Sequence, residues 1–167
     1  MMPFPKMNRI LEVMVILTVF FSFETMQANV TVGSDQQLPG VVFSSKLSEQ
    51  LAREGDLVNL EGPYWTPTTK QIIELEKVLR PYVNSHAPKD DDSLHGNLSE
   101  YKRQYIGMTF NGKQVIFVNA FCDSYWLNND DWKSHFVLIL DGGPCFFQII
   151  YDPESRSILQ FLINGYA

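Results

Sequence analysis

The residues with chemistry to offer are few. Cys122, Asp123 and His135 bring a thiol, a carboxylate and an imidazole close together in the sequence. If Cys122 ends one strand and His135 opens the next, they sit at the same end of a sheet, as a thiol nucleophile and its base would. No nucleophile motif surrounds Cys122, and cysteine also serves as a small buried hydrophobe. No catalytic residue is assigned. His86, His95 and Asp90-Asp91-Asp92 offer mixed imidazole and carboxylate ligands. Their spacing fits neither a zinc site nor a calcium loop. The stretch is read as a solvated charged loop, with no metal or cofactor. The segment 123–133 is the best binding candidate. Tyr125, Trp126 and Trp132 stand among Asp130, Asp131 and Asp123, and aromatics with carboxylates on a long connection suit a protein or sugar surface. The alternative is that the tryptophans fold back over an apolar sheet.

The elements that must position these residues follow from periodicity. Ser45 is a candidate cap for a short helix from Lys46 to Arg53, ended by Gly55. Thr66 and Pro67 open a helix over 67–80, with Ile72, Leu75, Val78 and Leu79 on one face. Pro81 is expected to end or bend it, and Tyr64 and Trp65 to staple onto it. Residues 84–103 read as a polar connection. Strands follow at Tyr105–Phe110, Val115–Cys122, His135–Leu140, Cys145–Tyr151 and Ile158–Ile163. Asn111-Gly112 signals a tight hairpin. Val115, Phe117, Asn119 and Phe121 face one side of their strand, and both sheet faces are apolar, which calls for more than one covering helix. The class is α+β: an amphipathic helix on an antiparallel meander of about five strands, cystatin-like or nuclear-transport-factor-2-like in general shape. In that meander the strand His135–Leu140 separates Cys122 from Cys145 by on the order of 20 Å. A disulfide needs Cα atoms within ~7 Å, so reduced cysteines are expected, although an exported chain favours a bridge.

Residues 1–28 read as a signal peptide. Lys6 and Arg9 precede the apolar stretch Ile10–Phe23, which is short for a membrane span, and Ala28 closes a polar region. Residues 29–44 form a flexible lead-in, with room for one short strand, and 45–167 a single domain. Cleavage would remove Lys6, Arg9, Glu12 and Glu24, two of each sign, leaving the net charge at −6. An acidic domain without a basic stripe is poorly suited to nucleic acid or to anionic lipid.

Six phrases occur in order: Tyr64-Trp65-Thr66-Pro67, Arg103-Gln104-Tyr105-Ile106-Gly107, Val118-Asn119-Ala120-Phe121, Asp141-Gly142-Gly143, Tyr151-Asp152-Pro153 and Asn164-Gly165. The set resembles a group of small uncharacterised exported proteins from Proteobacteria, over about residues 62–167. The resemblance implies a bacterial origin and an envelope address, and carries no activity.

The function expected from these features is that of a non-enzymatic, protein-binding or inhibitor-like module of the bacterial envelope, with an envelope protein as partner. The alternatives are a small-ligand carrier, or an enzyme using a helix–sheet pocket with Cys122 and His135. N-terminal sequencing of the protein recovered from its source is expected to begin at Asn29. A chain that still begins at Met1 would remove the signal-peptide assignment.

Overall fold

The computed structural model describes residues 38–57, 59–87, 94, 98–122 and 130–165. Its elements in chain order are strand β1 (Gly40–Phe43), helices α1 (Ser45–Glu54) and α2 (Thr69–His86), and strands β2 (Tyr101–Phe110), β3 (Lys113–Cys122), β4 (Phe146–Asp152) and β5 (Ser157–Ile163). The strands form one sheet in the order β1-β2-β3-β4-β5. β1 runs parallel to β2 and every other pair is antiparallel. The α+β class is as expected. No described helix is long and apolar enough to cross a membrane.

Both helices are capped at their starts by side chains, but not by the residues expected. Ser44, not Ser45, accepts the Leu47 N–H and starts α1, while Gly55 ends it in the left-handed region. Thr68, not Thr66, starts α2 through a reciprocal pair with Gln71. The Thr66 hydroxyl accepts the Ser45 N–H instead, joining the starts of the two helices. Pro81 does not end α2, which runs on to His86. Val83 in that last turn is wholly buried, and Tyr82 packs edge-on against Phe161. This packing holds the turn despite the missing donor.

The alternation along β3 separates two cores. On one face Ile116, Val118 and Ala120 join Tyr105, Phe147, Ile149 and the buried side of α2. On the other, Val115 and Phe117 join Ile106, Met108, Ile150 and Leu51 of α1. The first core is pinned by charge. The buried Arg103 guanidinium donates to the Tyr101 and Leu98 carbonyls and stands 3.2 Å from Glu76 of α2. The Tyr105 hydroxyl donates to the same carboxylate. Burial, with Glu76 beside it, pushes that phenol far above its ordinary range. Tyr64 packs with the α1 core instead of α2, while Trp65 is half-buried against the core that α2 covers. Trp65 pairs with Gly107 past the end of β1, and its indole donates to the Met108 carbonyl. A Cβ at Gly107 would strike the Trp65 backbone and ring.

Two expectations fail for one reason, and the sheet starts earlier than expected. The sheet does begin in the lead-in, at Gly40, ahead of the expected domain boundary at 45. The count of five strands holds only because β1 replaces the strand expected at His135–Leu140, which does not form. With that strand gone, β4 is the direct neighbour of β3. Phe121 pairs with Phe146, so Cys122 and Cys145 stand opposite each other with Cα atoms 5.1 Å apart, and they form a disulfide. The reduced state followed from a meander with one strand too many.

Replacing both Cys122 and Cys145 with serine is expected to remove about 2–4 kcal/mol of stability, read from urea unfolding of the oxidised protein and the variant. Equal midpoints would mean that the bridge does not form in solution.

Candidate functional site

Residues 131–141 form the covering layer at one end of the second face. After a single turn at Asp131–Lys133, the chain crosses the sheet as an extended strap rather than as a strand. A strap on an apolar face would leave its backbone polar groups unmet. Here the sheet meets them with amide side chains. Gln104, Asn119 and Gln148 are successive partners across β2, β3 and β4. The Gln104 amide nitrogen donates to the Trp132 and His135 carbonyls at 2.6 and 2.7 Å. Its oxygen accepts from the Val137 N–H and from Asn119, both at 3.0 Å. Asn119 donates its second hydrogen to the Val137 carbonyl at 2.7 Å. Farther along, Asn164 donates to the Ile139 and Asp141 carbonyls and accepts from Gln148. The Gly143 N–H reaches the Gly165 carbonyl, and the disulfide closes the end.

The strap is anchored by rings. Trp132 is only 8% exposed, packs edge-on against Phe121, and lies beneath the Lys102 and Lys133 ammonium groups. Phe136 turns inward against Phe117. The next three residues do not turn inward: Leu138 is 49% and Leu140 83% exposed, with Ile139 between them.

Between strap and sheet lies a cleft of about 510 Å³. Phe117, Ile150 and Leu162 of the sheet, the strap residues 136–140, Phe110 and Leu60 line it. Asn59, Asn119, Gln148, Gln160 and Asn164 supply its polar side chains. No Asp, Glu, Lys, Arg or His lines it among the described residues. Its size and mostly apolar lining are those of a small-molecule site. By contrast, α2 packs directly on the sheet, with Ile72, Leu75 and Leu79 wholly buried, so the cleft lies on the opposite face from the expected helix–sheet pocket.

The sequence candidates distribute as follows. Trp132 is an anchor of the strap, not an exposed contact. Asp130 and Asp131 are exposed, and Asp130 pairs with Lys133 at 2.7 Å. Tyr125, Trp126 and Asp123 lie outside the described residues, as do His95 and Asp90-Asp91-Asp92. Cys122 is bonded to Cys145, so the thiol that His135 was to activate is absent. His135 is exposed, its ring beside Ser134 and the Asp131 carbonyl. His86 stacks on Tyr82. Among the described residues no three acidic, histidine or cysteine side chains gather as metal ligands. The residues of the cleft were not singled out from sequence. Their one signal was an amide, Asn119, on the otherwise apolar face of Val115, Phe117 and Phe121.

Gln104→Leu strands two carbonyls and an N–H of the strap. It is expected to cost at least about 2 kcal/mol in denaturant unfolding, and to speed hydrogen exchange at Val137. An unchanged midpoint would mean that the strap does not depend on this amide.

No protein-family model, curated protein or solved structure matches the chain.

Proposed function

We propose that the chain is an exported, non-enzymatic ligand-binding protein, and that the cleft beneath the strap receives its ligand. The observation that carries this reading is the cleft itself: a built, largely apolar cavity walled by a strap whose backbone is fixed by side-chain amides. With no ionisable group among its described lining, it offers shape and apolar surface and no means of proton transfer. The Cys122–Cys145 bridge supports the exported reading, because disulfides persist in oxidising compartments, and so does the character of residues 1–28. An uncharged solvatochromic dye such as Nile red is expected to bind one to one, with blue-shifted emission. Leu162→Asn is expected to weaken it about tenfold without lowering the melting temperature. An absence of saturable binding would overturn the proposal.

A second reading is favoured by one feature. Leu138, Ile139 and Leu140 are consecutive exposed aliphatics beside Leu162. A monomeric surface rarely groups such residues without use, and they suit docking of an envelope protein. Immobilised residues 29–167 would then retain one stoichiometric partner that Leu138→Asn with Leu140→Asn releases. Retention unaffected by these changes would remove the reading.

A further inference from the structure

The hydrogen-bond network dictates what the cleft's amides can offer a ligand. The strap carbonyls accept hydrogen bonds and cannot donate them. Each amide that meets one must therefore present its nitrogen there. Asn119 commits both hydrogens, one to the Val137 carbonyl and one to the oxygen of Gln104. Its own oxygen is met by no described donor, although the residue is only 3% exposed and lines the cleft. Asn164 likewise turns its nitrogen to the Ile139 and Asp141 carbonyls. Its oxygen thus faces Gln148, which must present nitrogen in turn. The Gln148 oxygen is then left without a described donor. Asn119 and Gln148 are direct partners across β3 and β4. The cleft lining therefore holds two neighbouring acceptors, each oriented by the hydrogen bonds that its nitrogen makes.

Resting on the ligand-binding reading above, we infer that the ligand is an uncharged amphiphile whose head donates N–H or O–H hydrogen bonds, best a primary amide. Its head lies against Asn119 and Gln148, and its apolar body runs along Phe117, Ile150 and Leu162. Two hydrogens on one nitrogen match two adjacent acceptors. A carboxylate brings only acceptors to acceptors. It would also lose its hydration, with no cation among the cleft's described lining to replace it. An ammonium head has donors but meets no carboxylate among the described lining.

The test compares ligands with one apolar body in competition with Nile red on the mature chain: decanamide, N,N-dimethyldecanamide and decanoate. Decanamide is expected to bind about tenfold tighter than the dimethyl amide, with decanoate weakest. In Gln148→Leu the gap between the two amides should narrow while Nile red still binds. Equal affinities for the three on the unaltered protein, or tightest binding of decanoate, would overturn the inference while leaving the cleft as an apolar site. A gap unchanged in folded Gln148→Leu would overturn it as well. Failure of Nile red itself to bind would sink both this inference and the reading on which it rests.

Discussion

A stretch of backbone laid across the face of a sheet brings N–H and C=O groups that no strand ladder can reach. Leaving them unpaired under a covering layer costs about 1–3 kcal/mol for each group. The strap 131–141 meets this constraint by borrowing side chains. Gln104 uses both hydrogens and both lone pairs of its amide, and Val137 has its N–H and its carbonyl met much as a neighbouring strand would meet them. The rest of the second face depends on this arrangement. The strap can lie flat, Phe136 can fill the core beside Phe117, and the following residues can stand off the sheet far enough to leave a cleft.

The same constraint connects features distant in sequence. The phrase Arg103-Gln104-Tyr105-Ile106-Gly107 meets Val118-Asn119-Ala120-Phe121 through its amide and Tyr64-Trp65-Thr66-Pro67 through Gly107. Asn164-Gly165 holds Asp141-Gly142-Gly143 by side chain and by backbone. Of the six phrases, those carrying Gln104, Asn119 and Phe121, and Asn164 thus meet at one connection. The disulfide fits this pattern. It fastens the connection where β4 begins, opposite the end of β3, so both ends of the segment between Cys122 and Cys145 are fixed to the same pair of strands.

Much of the frame was legible in the sequence. Period-two alternation gave the two faces of β3, Asn111-Gly112 gave the hairpin, with both residues at positive φ, and the Ile72–Leu75–Leu79 spacing gave the buried side of α2. The strap was not legible, because Phe136–Leu140 has the composition of a buried strand. Composition reports that a segment is apolar but not whether its backbone is met by a ladder or by side chains. What separates the two cases is on other strands: Gln104 and Asn119 sit where apolar residues would otherwise be expected. The missed strap then displaced the cysteine prediction, since the two thiols are far apart or adjacent depending on whether one strand lies between them. β1 was hard to place for a different reason. It is four residues long and its partner, beginning at Arg103, lies beyond two helices, so nothing local marks it as part of the sheet.

The choice of amides to build the strap and cleft has a consequence for the conditions under which the site keeps its shape. Glutamine and asparagine neither gain nor lose protons, and neutral groups are not screened by salt as paired charges are. Although the chain carries a net charge of −6, the amide contacts between strap and sheet do not draw on it. Salt or extremes of pH would act on the strap first at the Asp130–Lys133 pair and the lysines over Trp132, not at the amides. The amide network is in this sense indifferent to acidity and ionic strength.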